Sequence, residues 1–180
     1  MIETARLILR SWSENDAESL FKYASDPDVG PIAGWAPHSS VAESREIIRT
    51  VFAAPEVYAV VLKETGEAVG CCGLIFGDNV DDDRHREAEL GYWIGKPYWG
   101  RGLMSEAVRA ILKRGFEVLS LDVIWCSHYE GNIRSKRVIE KAGFKYDHTN
   151  PDSLSPLGDT RSVHYYRMTS ADYAPLGPIK

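Results

Sequence analysis

The chain has 180 residues, a formal net charge of −5, and 44% hydrophobic against 26% charged residues. That balance reads as one globular domain over residues 1–180, with its core over about 2–168, and it argues against a nucleic-acid or anionic-membrane partner. No apolar run reaches transmembrane length and no signal-type segment follows Met1, so the reading is cytoplasmic. In chain order, Leu7 to Ser11 alternates as a strand. Ser13 then starts a helix with Ala17, Leu20, Phe21 and Ala24 on one face, ended by Asp26-Pro27. Val29 to His38 is a loop rich in Gly, Pro and aromatics, and Ser40-Val41-Ala42-Glu43 has a capping-box pattern. The helix it opens carries Ile47, Ile48, Val51 and Phe52 as its apolar face. Val57 to Lys63 and Ala68 to Phe76 form a hairpin around Thr65-Gly66.

The acidic stretch Asp78 to Asp83 is a loop, without the spacing of a calcium-binding loop. Glu87 to Ile94 is the next strand, and Met104, Val108, Ile111, Leu112 and Phe116 form a helical stripe. Asp122 to Cys126 is a short strand. Asn132 caps another helix, with Gly143 at its C-terminal cap and Phe144 beyond. Phe144 to Thr149 and His164 to Met168 are the closing strands, with the polar segment Asn150 to Ser162 between them. The fold class is α/β (α+β): a mixed, mostly antiparallel sheet of about six to seven strands flanked by about four helices. Cys71, Cys72 and Cys126 read as buried hydrophobes. His38, His85, His128, His148 and His164 are scattered, so no metal site is expected.

The most informative stretch is Tyr98-Trp99-Gly100-Arg101-Gly102-Leu103-Met104-Ser105-Glu106-Ala107, a glycine turn opening directly into a helix. Two glycines let backbone N–H groups converge, and a helix start adds unpaired amides and a positive dipole end. Such a turn suits a phosphate or pyrophosphate. It lacks the Gly-Lys-Ser/Thr of a P-loop. It also lacks the third glycine of a dinucleotide fingerprint, with Ser105 in that place, so NAD is disfavoured. A plain helix entry stays open on the turn alone. Lys96, Arg101, Arg134, Lys136, Arg137 and Lys141 gather around this turn and the Asn132 helix start, a local positive patch fit for a small polyanion.

Glu87-Ala88-Glu89-Leu90-Gly91-Tyr92-Trp93-Ile94, the glycine turn, Asn132-Ile133-Arg134-Ser135 and Glu140-Lys141-Ala142-Gly143-Phe144 follow in an order that resembles the GCN5-related N-acetyltransferases. The likeness extends to the Rim-type ribosomal-protein N-terminal acetyltransferase subgroup, whose first strand Glu3-Thr4-Ala5-Arg6-Leu7-Ile8-Leu9-Arg10 resembles. It runs from about Ile2 to about Met168. The resemblance implies a splayed central strand pair and acetyl-CoA as donor. The pantetheine arm would lie along the backbone of Trp93, Ile94 and Gly95, and the pyrophosphate on the amides of Arg101, Gly102, Leu103, Met104 and Ser105 beside Trp99 and Gly100. In the family's turn pattern Trp99 takes the first place, Gly102 the central one and Met104 the last, normally Gly or Ala. Glu89 matches the strand glutamate that serves as general base, with Glu87 as a fallback. Ile139 stands where many relatives carry a tyrosine acid, so the resemblance moves that role to Ser135, held by Asn132, with Tyr129 and His128 as alternatives.

The resemblance also implies that the acceptor loops are Val29 to His38, with Trp35 as a wall, and Asn150 to Ser162, while Asp81, Asp82, Asp83 and Glu87 could attract a cation. The expected activity is direct acetyl transfer to a primary amine, foremost the α-amine of a protein or peptide. A small amine (amino acid, polyamine or amino-antibiotic) is the alternative acceptor. A non-catalytic acyl-CoA-binding module is the alternative class. Relatives are often dimers, which leaves a homodimer open.

Overall fold

The computed structural model describes residues 1–77 and 86–173. Among them, eight strands form one sheet in the order β1-β2-β3-β4-β5-β6-β8-β7. The strands are β1 (Ile2–Glu3), β2 (Leu7–Arg10), β3 (Val57–Leu62), β4 (Ala68–Ile75), β5 (Glu87–Ile94), β6 (Val123–Tyr129), β7 (Lys145–Leu154) and β8 (Thr160–Thr169). The helices are α1 (Ala17–Ala24), α2 (Val41–Thr50), α3 (Leu103–Lys113) and α4 (Ile133–Ala142). Every neighbouring pair is antiparallel except β5–β6, which is parallel. The strand beyond the expected count is the two-residue β1, too short to leave a pattern in the sequence.

β3 and β4 are near-continuous apolar runs because helices cover both faces of the sheet there. On one face α1 and α2 bury Leu20, Ala24 and Ile48 against Ala59, Val61 and Cys71. On the other, α3 lays Val108, Ile111 and Leu112 over Val60, Leu74 and Leu90 in the main core. Gly115 lets the widened turn after α3 press onto the sheet, since a Cβ there would meet Ile124 at 2.7 Å.

Three details differ from the sequence reading. Val51 lies beyond the end of α2 and is 56% exposed, so it is not part of that helix's buried face. Glu43 receives its hydrogen bonds from the N–H and hydroxyl of Ser39 (2.6 Å each), while Ser40 Oγ accepts from the Glu43 N–H (3.1 Å). The polar segment after Thr149 is mostly strand, because β7 is an edge strand whose ladder to β8 needs no buried face and takes up Pro151 at a register shift. Asp78 to Asp83 and His85 lie outside the described residues.

The feature that matters for function is the β5–β6 junction. The pair is in register only at Glu87↔Val123, Ala88↔Ile124 and Glu89↔Trp125. Beyond Glu89, β5 stays with β4 through Ile94, and β6 stays with β8 through Tyr129. The two halves of the sheet therefore part, leaving a wedge between Leu90–Ile94 and Cys126–Tyr129.

Candidate active site

The wedge is the mouth of a cavity of about 1060 Å³ that runs from one face of the sheet to the other. Side chains alternate along β5, so Glu89, Gly91 and Trp93 look toward the α1/α2 face, while Leu90, Tyr92 and Ile94 look toward α3 and α4. Backbone groups alternate too. The Gly95 N–H donates to the Val69 carbonyl (2.8 Å), so it and the polar groups of Trp93 turn toward β4, while the Gly95 carbonyl accepts from the Tyr98 N–H (2.9 Å). The polar groups of Tyr92 and Ile94 turn toward the wedge. The Ile94 carbonyl accepts from the Trp99 indole Nε1–H (2.8 Å), which leaves the Ile94 N–H and both Tyr92 groups facing the opening. Of Trp93, Ile94 and Gly95, only Ile94 offers backbone to that space.

The glycine turn forms as the sequence requires. Gly100 and Gly102 both have φ of 73°, a conformation that side chains with a Cβ rarely adopt. Gly102 is the N-cap of α3, and the first intrahelical bond runs from the Glu106 N–H to the Gly102 carbonyl (3.1 Å). The amides of Leu103, Met104 and Ser105 precede it and have no helical partner. Met104 points its side chain into the core at 5% exposure, so its bulk is kept off the turn's outer surface. Glu106, 4% exposed, holds the turn from behind. It accepts from Thr4 Oγ1 (2.6 Å), the Arg6 N–H (2.8 Å) and Arg6 Nε (2.7 Å), and Arg6 Nη1 in turn donates to the Arg101 carbonyl (2.9 Å).

Cations line the same side. Arg134, Arg137 and Lys141 recur along one face of α4 and border the cavity, with the Arg134 guanidinium 3.7 Å from the centre of the Trp99 ring. Arg101 is exposed above the Tyr98 ring, and Lys96 pairs with Asp28 instead of facing the turn.

Two polar groups meet the wedge from opposite faces of β5. On the α1/α2 face, Glu89 Oε1 accepts from Ser127 Oγ (2.8 Å) on β6, where the strands separate. Its neighbour Glu87 is occupied by the Trp125 indole (2.7 Å). On the α3/α4 face, the Ser135 hydroxyl lies 2.9 Å from Tyr92 OH, and the Ser135 N–H donates to Asn132 Oδ1 (3.2 Å) as the cap of α4. Burial holds the Tyr92 phenol well above its ordinary pKa, so it stays a protonated donor. Of the alternative donors, burial pushes His128 below its usual pKa, and the ring bonds the Tyr129 carbonyl (2.9 Å). The Tyr129 ring packs against Gly34. Ile139 is fully buried in the core.

The sequence profile described as Acetyltransferase (GNAT) domain matches residues 6–145. The chain belongs to this acetyltransferase family. It is 29% identical over 176 residues to the uncharacterized N-acetyltransferase p20 of Bacillus licheniformis, covering 95% of this chain and 97% of that one. It is 32% identical over 102 residues to the putative ribosomal N-acetyltransferase YdaF of Bacillus subtilis, covering 57% and 55%. In fold it matches a GNAT-family acetyltransferase from Bacillus anthracis, with a TM-score of 0.84 at 24% identity over 94% and 98% of the two chains. As a GNAT enzyme the protein is an N-acetyltransferase, and the family's donor is acetyl-CoA.

Two polar groups of this GNAT site escaped the sequence reading, Tyr92 and Ser127. Tyr92 could have been found from parity: it shares the inward face of β5 with Leu90 and Ile94, and a tyrosine among them needs a partner for its hydroxyl. Ser127 left no signal, because its contact with Glu89 depends on the parallel register of two strands far apart in sequence.

Proposed function

We propose that this enzyme transfers the acetyl group of acetyl-CoA directly to a primary amine, the α-amine of a protein or peptide being the acceptor the site suits. The observation that carries this is the wedge itself, a gap in the sheet with Glu89 on one side and Ser135 on the other. The free amides at the start of α3 take the pyrophosphate. The α4 cations Arg134, Arg137 and Lys141 add charge, and the inward groups of Tyr92 and Ile94 pair with the pantetheine arm as a missing strand would.

With the donor so placed, the thioester lies between the faces of β5. The acceptor loses its ammonium proton to water, and its nitrogen attacks the carbonyl carbon. Glu89, held by Ser127, removes the second proton directly or through one water. An α-amine, with a reference pKa near ~8 against ~10.4 for lysine, asks little of this base. The C–S bond then breaks and the electron pair stays on sulfur. The single Tyr92 phenol proton has two acceptors on Ser135, the carbonyl at 3.1 Å and Oγ at 2.9 Å, and when it is given to Oγ the serine's own proton is free to point at the thiolate.

The test is acetyl-CoA titration by calorimetry, followed by thiol release with an N-terminal peptide, for wild type and Glu89→Gln. Tight binding with peptide-dependent release, lost in the variant, is expected. Binding without release from any amine would mean an acyl-CoA-binding module.

A further inference from the structure

Past Glu89 the cavity changes character. On the α1/α2 face its walls are mainly apolar, with Trp35, Phe52, Ile75, Trp93 and Leu154 among them and Tyr129 and Tyr165 alongside. Trp35 and Trp93 meet edge to face with centroids 5.8 Å apart. Around the opening, the apolar side chains of Val51, Ile75 and Leu154 stand 56%, 56% and 75% exposed. Among the described lining residues Glu89 is the one carboxylate. Glu89 therefore offers an ammonium its anchor, and around it stand side chains that water wets poorly.

The wall is built in advance. Gly30 makes room for the Trp35 ring, since a Cβ there would meet the ring at 2.7 Å, and Gly34 (φ 90°) lies against Tyr129. The loop is tied to the other half of the sheet by Asn132 Nδ2 donating to the Ile32 carbonyl (3.3 Å) and Arg161 Nη1 donating to the Pro31 carbonyl (2.6 Å). A fixed apolar wall selects by shape and burial.

Building on the N-acetyltransferase reading, we infer that the acceptor is a primary amine carrying a bulky apolar or aromatic group beside the amine. This is the chemistry of a peptide whose first residue is large and apolar, and equally of a free arylalkylamine. A polyamine would set further ammonium groups against these tryptophan, phenylalanine and aliphatic side chains, which return none of the hydrogen bonds lost to water.

The experiment compares kcat/KM, by thiol release from acetyl-CoA, for a phenylalanine-initial tetrapeptide, 2-phenylethylamine, an aspartate-initial tetrapeptide and spermidine. One or both of the first two should exceed the last two by about tenfold or more, the usual reward for filling an apolar pocket. Activity with the peptide alone would assign a peptide terminus, and equal activity with the phenylethylamine a free amine. Spermidine or the aspartate-initial peptide performing as well would overturn the inference. No transfer to any of the four, with acetyl-CoA binding intact by calorimetry, would remove the transferase reading and this inference with it. Ile75→Glu, at an exposed position that folding tolerates, should lower kcat/KM for the apolar acceptor and raise it for spermidine. An unchanged preference would also count against the wall.

Discussion

Replacing Glu106 by Gln tests how the back of the glycine turn is held. The carboxylate is almost fully buried and accepts three hydrogen bonds, one from the half-exposed Arg6 guanidinium. Glutamine can still accept from Thr4 and the Arg6 N–H through its carbonyl, but its NH₂ would face the Arg6 Nε–H, donor against donor. A charged hydrogen bond contributes about 1.5–3 kcal/mol. With Arg6 46% exposed and able to re-solvate, the loss should be about 2 kcal/mol. For a chain of this length that is a fall in Tm of about 4–8 °C.

The pH dependence gives the sharper check. Burial raises the Glu106 carboxyl, but the bonds from Thr4 and Arg6 outweigh it and hold the group below its ordinary value. A depressed carboxylate contributes stability that is full above its unfolded pKa and is lost as pH falls through the folded one. The Tm gap between wild type and Glu106→Gln, measured by calorimetry, should be widest near neutrality and shrink on acidification. Equal melting temperatures at pH 7, or a gap that persists unchanged into acid, would refute the argument. Because Arg6 also holds the Arg101 carbonyl, the variant should bind acetyl-CoA more weakly in the same titration series.

Three further outcomes follow from the site. Glu89→Gln should cut kcat by about 100-fold or more with unchanged acetyl-CoA affinity, and full activity across the pH range would make Glu89 structural. Tyr92→Phe and Ser135→Ala should each slow transfer about tenfold, the worth of one good hydrogen bond. The double variant should be no slower than the slower single one, whereas strictly additive losses would show that the two hydroxyls act separately. Gly102→Val should abolish measurable acetyl-CoA binding and cost about 1–2 kcal/mol for its left-handed backbone, while Gly102→Asn, tolerant of that conformation, should keep the fold; wild-type affinity in the valine variant would remove the turn from the binding site.

Much of the fold was legible because its signals are local. The apolar runs of β3 and β4, the stripe of α3 and the Asn132 and Gly143 caps of α4 each sit within one stretch of chain. Ser135 and Glu89 were legible only through family likeness, since nothing in their own neighbourhood marks them as more than a helix cap and a strand acid. What stayed hidden depends on distant pairing. The Trp99 indole on the Ile94 carbonyl, the Ser127 contact with Glu89 and the parity that turns Trp93 and Gly95 away from the wedge all need the assembled sheet. β7 was missed in part because an edge strand need not look apolar.

The parting of β5 and β6 also bears on how a fold can carry unpaired strand without presenting it to other chains. Open strand edges invite pairing with other chains, and proteins ordinarily blunt them with charge, bulges or covering segments. Here an unpaired edge is placed in the middle of the sheet, recessed between α3, α4 and the loop that carries Trp35. Its two faces are flanked by Trp99 stacked under Arg134 and by Trp93 against Trp35, bulky groups that narrow the approach for a strand with side chains of its own. Recessing the edge in this way buries it within the fold instead of at the rim of the sheet, where pairing with other chains begins.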